Sequence, residues 1–174
     1  MNRSVSLYDS YLCKETRLKK QQQLLKKYAC PVITLKAHMP RELRRNTYVP
    51  SLITQGLESI QNTLSEHGML CIASDEFQSA AGLEHYLAVQ CRSASQLKKL
   101  MMNIENHHRL GQLLDINVMN SEGKTLSRGS CELSARKCII CDKIAPVCAK
   151  NHRHSIKELD EKICSMMDLV ETEI

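Results

Sequence analysis

Between residues 31 and 119 the apolar pattern switches period in a fixed order, and that order limits the folds open to the chain. "CPVITLKAHM" alternates through Val32, Thr34 and Lys36, the period-two signature of a strand running up to Pro40. After the basic, turn-like "RELRRNTYVP", Pro50 opens a stretch whose Leu52, Ile53, Leu57, Ile60 and Leu64 make one helical stripe stopped at Gly68. "MLCIASDEF" reads as a short, largely buried strand. "QSAAGL" is a small-residue connection, so the next strand, "EHYLAVQC", should run antiparallel to it. Ser93 or Ser95 caps "ASQLKKLMMNIENHH", where Leu97, Leu100, Met101 and Ile104 share a face. "RLGQLLDINV", residues 109–118, closes the series as a strand. Strand, helix, strand, strand, helix, strand predicts an α+β sandwich on the ferredoxin-like split βαβ plan.

Extensions flank this unit. "DSYLCKETRLKKQQQLLKKY" predicts an N-terminal helix behind an Asp9 or Ser10 cap, stopped before Pro31. "NSEGKTLSRGS" is a glycine-containing turn leading into a short extended segment, and "SIKELDEKICSMMDLV" is an amphipathic helix opened by a Ser155–Glu158 capping box. A chain of 174 residues buries one sizeable core and would be cramped as two. The expectation is one domain over 1–174: a helical extension over 1–30, an α+β core over 31–119 and a Cys/His-rich segment over 120–174.

Composition excludes several classes of function. A net charge of +5 suits anionic partners such as phosphates or an acidic protein, but one Phe and no Trp leave little to stack on bases, so no nucleic-acid partner is expected. No run approaches the roughly 18 apolar residues that a membrane span needs. Nine cysteines is an odd number, and "MNRSVSLYDSYLCKE" has no apolar signal region, which together predict reduced thiols and a cytoplasmic location.

Within "RLGQLLDINV" an acid, Asp115, interrupts the apolar run. In a strand it shares a face with Leu113 and Asn117 and opposes Leu114, Ile116 and Val118. One reading is a solvated face of a half-buried strand. The other is a cation site, because Asp115 and Asn117 point the same way with bases roughly 6–7 Å apart and could hold Mg²⁺ for phosphate chemistry. The neighbours suit the second reading: Arg109 and Arg128 as phosphate clamps, Gly111 as a place where a phosphate nears the backbone, and His108 as an acid–base group. Histidines at 107 and 108 serve equally well as a helix terminus.

A second constellation lies in "RKCIICDKIAPVCAKNHRH". Cys138, Cys141, Cys148 and His154 have the spacing of a structural zinc knot; free thiols in a cysteine-rich chain are the competing reading. Arg136, Lys137, Lys150, His152 and Arg153 make the same region basic, fit for an anionic ligand or partner.

Together "HRLGQLLDINVMNSEGKTLSR" and "ARKCIICDKIAPVCAKNHRHSIKEL" resemble the apo-citrate lyase phosphoribosyl-dephospho-CoA transferase family, the holo-acyl-carrier-protein synthases of citrate lyase. The family's pattern of His, Leu-Gly-Arg, Asp-x-Asp-Val, Ser-Arg, Arg, Cys-x-x-Cys, Cys and His falls on His108, Leu110, Gly111, Asp115, Val118, Ser127, Arg128, Arg136, Cys138, Cys141, Cys148 and His154. The resemblance implies a nucleotidyltransferase-type reaction. Triphosphoribosyl-dephospho-CoA would be joined through a phosphodiester to a serine of the acyl carrier subunit of citrate lyase, with diphosphate leaving. It further implies Asp115 on Mg²⁺, His108 orienting the serine hydroxyl or neutralising the leaving group, and Arg128, Arg136 and Arg44 or Arg45 gripping phosphates. On the zinc-knot reading of the cysteine spacing, Zn²⁺ is structural. Three departures stand out: Asn117 occupies the place of the second acid, Gln112 the place of an Arg, and "PRELRR" lacks the expected Gly. They leave a divergent member of reduced activity as one alternative. A non-catalytic, zinc-stabilised adaptor for an acidic partner is the other.

Overall fold

The alternation of periods folds as one five-stranded sheet with helices on both faces. A computed structural model describes residues 7–79, 81–127 and 135–171. The elements are α1 (Leu7–Tyr28), β1 (Val32–Ala37), a 3₁₀ turn (Arg41–Leu43), α2 (Val49–Glu66), β2 (Leu70–Ser79), β3 (Gly82–Gln90) and α3 (Ala94–His107). A second 3₁₀ turn (Gly111–Leu113), β4 (Leu114–Met119), β5 (Thr125–Leu126), α4 (Ala145–Lys150) and α5 (Ile156–Glu171) follow. The strand order is β2-β3-β1-β4-β5, with every neighbouring pair antiparallel, so the first strand of the chain lies at the centre.

One face of the sheet supplies the core. Ile33 and Leu35 of β1, Leu87 and Val89 of β3, and Leu114, Ile116 and Val118 of β4 pack with Leu52, Ile53, Ile60 and Leu64 of α2 and Leu97, Met101 and Ile104 of α3; α5 adds Ile163 and Met167. Side chains alternate along a strand, so the intervening residues face the other way, toward α1. That contact is polar. Arg17 forks onto Glu84, Tyr86 donates its hydroxyl to Glu84 at 2.5 Å, Gln21 donates to Thr34 at 2.8 Å, and Lys20 meets Asp75 at 2.5 Å.

Local chemistry sets the element ends. Gly68 takes φ +62°, its N–H bonds the Ser65 carbonyl and the Met69 N–H bonds that of Leu64, which closes α2 where the sequence placed the stop. Ser93 accepts from Gln96 N at 3.2 Å and caps α3. The Ser155–Glu158 box forms reciprocally: Glu158 N donates to Ser155 Oγ at 3.2 Å and Ser155 N to Glu158 at 2.7 Å.

Three expectations need correction. α1 begins at Leu7, so Asp9 and Ser10 lie inside the helix and do not cap it. The strand expected to be short and buried is β2, ten residues long at the sheet's edge, with Leu70 and Ile72 exposed and a bulge between Cys71 and Ala73; an edge strand has only one strand neighbour to cover it. Residues 109–113 are not strand. A Cβ at position 111 would stand 2.3 Å from the Ile104 carbonyl oxygen, so Gly111 tucks the chain under the end of α3 and a 3₁₀ turn carries Leu113 into the core before β4 starts. Among the described residues no helix is long and apolar enough to cross a membrane.

Candidate functional site

The buried alternation of Leu114, Ile116 and Val118 turns Asp115 and Asn117 to the opposite face of β4. Strand register sets Asp115 beside Lys36 and Lys36 beside Glu84, a row of alternating charge across three strands. Lys36 Nζ lies 3.2 Å from Asp115 Oδ2, Arg136 lies 3.7 Å from Oδ1, and the Asn117 amide donates to Oδ1 at 2.9 Å. Burial pushes the Asp115 pKa up, but Lys36 and Arg136 outweigh it and hold the carboxyl below its ordinary range.

β4 pairs with β5 only at Val118 and Met119, which leaves its outer edge from Leu114 to Ile116 without a strand. Side chains take its place. Glu105 accepts from Ile116 N at 2.7 Å, Lys98 donates to the Ile116 carbonyl at 2.8 Å, and Arg136 donates to the Leu114 carbonyl at 2.6 Å while pairing with Glu105. Lys98 and Glu105 are both buried. A guanidinium held by a backbone carbonyl and a buried carboxylate has a fixed direction, so β4's edge serves as a mount for Arg136.

Beside this mount opens a cavity of about 790 Å³, between the end of β1 and the C-terminal segment. Polar groups in its lining include His38, Arg44, Gln112, Arg136, Lys137 and His154, with Glu42 an acid among them; Met39, Leu159 and Ile163 are among the apolar ones. Arg44 is pinned by donating to the Met39 carbonyl at 3.0 Å. Gly82, at φ +114°, lets the β2–β3 hairpin close on Arg44, since a Cβ there would meet the Arg44 Cβ and carbonyl oxygen at 3.2 Å. Tyr48 and Asn46 donate to Asp160 at 2.8 and 2.9 Å, tying the 41–48 segment to α5 and fixing the distance across the cavity.

His38 is a lining residue that sequence reasoning missed; its only signal was a histidine at the open end of a strand, just ahead of the basic turn. The protein packed around its ring and the Arg136 charge bring its pKa down to about 4, with Arg44 and Lys36 acting the same way and Asp115 opposing. Its imidazole is therefore neutral at neutral pH and a weaker base than a free histidine.

The structure thus brings Arg44, Arg136 and Asp115 together, and sets Cys138, Cys148 and His154 on the same cavity. Other expected residues lie elsewhere. His108 ends α3, with its N–H on the Ile104 carbonyl and its Nδ1 accepting from Leu110 N at 3.2 Å, outside the cavity lining. Arg45 and Arg109 are also outside the lining, and Gly111 faces the α3 carbonyls, which block a phosphate there. Arg128 lies outside the described residues.

The donor set around Asp115 does not fit a protein-held Mg²⁺. A single carboxylate is already engaged by Lys36 and Arg136, and Asn117 presents its amide N–H to that carboxylate. Mg²⁺ needs oxygen donors free of competing cations.

Cys138, Cys141, Cys148 and His154 form a cluster that can hold a metal ion, their ligand atoms all within 4.8 Å of one another. Cys141 Sγ lies 3.5 Å from Cys148 Sγ and 3.2 Å from His154 Nε2. Hydrogen bonds from Lys143 N and from His154 favour the thiolate at Cys141, lowering its pKa to about 6.

A pocket that joins guanidinium groups to an apolar wall can receive a ligand with anionic groups and an apolar body. The sequence matches the family described as apo-citrate lyase phosphoribosyl-dephospho-CoA transferase over residues 6–170. A Vibrio cholerae protein named probable apo-citrate lyase phosphoribosyl-dephospho-CoA transferase is 34% identical over 94% of this chain and 92% of its own length. An Escherichia coli apo-citrate lyase phosphoribosyl-dephospho-CoA transferase is 25% identical over 97% of this chain and 91% of its own. A Haemophilus influenzae protein, CitXG, is 28% identical over 93% of this chain, which spans 35% of that longer protein. The chain belongs to the apo-citrate lyase phosphoribosyl-dephospho-CoA transferase family.

Proposed function

We propose that this chain transfers a phosphoribosyl-dephospho-CoA group from its triphosphoribosyl precursor to a serine of the apo acyl carrier subunit of citrate lyase. The serine oxygen attacks the phosphorus next to the ribose, the bond from that phosphorus to diphosphate breaks, and the hydroxyl proton ends on the released diphosphate. The reaction is of nucleotidyltransferase type. Negative charge grows on the departing diphosphate, so fixed cations are the main catalytic need.

The observation that carries this reading is the joining of Arg44 and Arg136 with an apolar wall in one cavity of about 790 Å³. Those two guanidinium groups grip the phosphates, and Asp115 positions Arg136 and Lys36 for the task. Arg128, in the Ser-Arg pair of the resemblance, adds to the grip. The net charge of +5 steers an acidic carrier to the pocket. The strand order, with β1 central and both helices α2 and α3 on one face, supports a ferredoxin-like split βαβ core carrying added terminal elements. The reaction is placed in the cytoplasm.

The test is intact-mass analysis of apo carrier protein incubated with the chain and the triphosphoribosyl precursor. A mass gain of one phosphoribosyl-dephospho-CoA group on the acceptor serine, matched by diphosphate release, is expected. Arg44→Ala and Asp115→Asn should each slow it by about 100-fold or more. Binding of carrier with no mass gain would overturn the proposal in favour of an adaptor.

A further inference from the structure

The stretch from residue 135 to 155 has almost no core of its own. Its only buried side chains are Cys138 and Cys148; Ile140, Ile144 and Val147 are exposed. Two thiols, with Ile139 half-buried against the main core, give such a stretch little to fix it by burial, yet its backbone has a defined path.

That path has one evident purpose. Cys138 N bonds the Lys143 carbonyl at 2.6 Å and Lys137 bridges Ile144, making a tight hairpin around Cys138 and Cys141. Asp142, directly after the second cysteine, takes φ +53°, a left-handed conformation that Asp adopts more readily than most residues with a Cβ. Pro146 starts the short α4, which delivers Cys148. α4 then ends with His152 at φ +45° and Arg153 N on the Cys148 carbonyl at 3.1 Å, which turns the chain back so that His154 reaches Cys141. Two left-handed residues thus converge three sulfurs and one imidazole nitrogen to within 4.8 Å. The Cys141–Cys148 sulfur separation of 3.5 Å is far beyond the roughly 2.05 Å of a disulfide. It is near the spacing that two ligands make around one tetrahedral ion with Zn–S bonds of roughly 2.3 Å.

We infer that Cys138, Cys141, Cys148 and His154 bind one Zn²⁺ ion, and that this ion holds the 137–154 segment as a wall of the cavity while leaving the sheet independent of it. Three of the ligands, Cys138, Cys148 and His154, line the cavity, so the ion sits directly behind the surface any ligand meets. The sheet and its helices have their own apolar core and do not need the ion. The inference concerns metal and local order, and stands or falls apart from the transfer reaction.

The experiment is metal analysis of protein purified under reducing conditions, followed by amide hydrogen exchange before and after removal of metal with a chelator. About one zinc per chain is expected. Cys141→Ser/Cys148→Ser should lose it, and Cys71→Ser, on the distant edge strand, should keep it. Cobalt in place of zinc should give the intense visible bands of a tetrahedral thiolate site. Chelation should speed exchange in residues 137–154 and leave β1, β3 and β4 protected, an outcome readable on the wild-type chain if the double variant fails to fold. Metal-free protein that takes up no zinc, zinc retained by the double variant, or an oxidised Cys141–Cys148 pair in the reduced preparation would overturn the site. Loss of protection throughout the sheet on chelation would overturn its local role.

Discussion

Asn117 donates its side-chain amide to Oδ1 of Asp115 at 2.9 Å, two residues apart on one face of β4. An acid at 117, which the family's Asp-x-Asp would supply, meets a carboxylate here with no donor to offer. Asn117→Asp should lower stability at pH 7 by about 1 kcal/mol, because a hydrogen bond is lost and two like charges are brought together. The pair holds a proton more readily when folded than unfolded, so the loss should shrink as pH falls into the carboxylate range. Urea denaturation across pH measures both. A variant that is strongly stabilised by added Mg²⁺ would show that two acids here make the cation site that one acid does not.

Arg136 is bound to the fold as well as to the cavity. Arg136→Met removes the donor on the Leu114 carbonyl and one charge partner of Glu105, whose side chain is 1% exposed. Removing one member of a buried ionic group costs about 3–5 kcal/mol. The Arg136→Met/Glu105→Gln double variant should lose less than the two single losses added together, a coupling measured by a double-mutant denaturation cycle.

His38 gives the pH dependence its sign. Its folded pKa of about 4 lies below the ordinary histidine value of 6.5, so on acidification the unfolded chain takes up the proton first. Stability at this residue is fully present above pH 6.5 and declines toward pH 4. The charged groups acting on it are Lys36, Arg44, Arg136 and Asp115. His38→Gln should flatten the stability curve over that window. Below it the decline should persist in both proteins, because Asp115, Glu84 and Asp75 have depressed pKa values whose contribution is lost as pH falls beneath the ordinary carboxylate range.

Gly111→Ala should be among the most damaging single methyl additions to the chain. The new Cβ would sit 2.3 Å from the Ile104 carbonyl oxygen and 2.7 Å from that of Glu105, both backbone atoms that cannot swing aside. A loss of about 3 kcal/mol is expected in thermal or urea unfolding.

Periodicity made the helices and the central strands legible, because Leu52, Ile53, Ile60 and Leu64 or Leu114, Ile116 and Val118 must all turn to one core. It misjudged β2, since a run such as "MLCIASDEF" carries no information about whether a second strand will flank it. The cysteine spacing was legible for a similar reason: four donor side chains within one short stretch need little tertiary structure to meet. The cavity was not. His38, Arg44 and Arg136 come from a strand end, a turn and a distant loop, and their meeting depends on the register of β1 against β4. His108 looked the better histidine in sequence because it sits beside Arg109 and Gly111, yet the helix end turns it away.

Strand edges are where one folded sheet recruits another, and runaway pairing along them is a common route to aggregates. At β4 the docking positions for a foreign strand, the Ile116 N–H and the Leu114 and Ile116 carbonyls, are already taken by Glu105, Arg136 and Lys98. An incoming chain would first have to dislodge buried charges from their partners. The contacts to Glu105 and the Leu114 carbonyl that hold Arg136 beside the cavity therefore also help keep this border of the sheet from self-assembly.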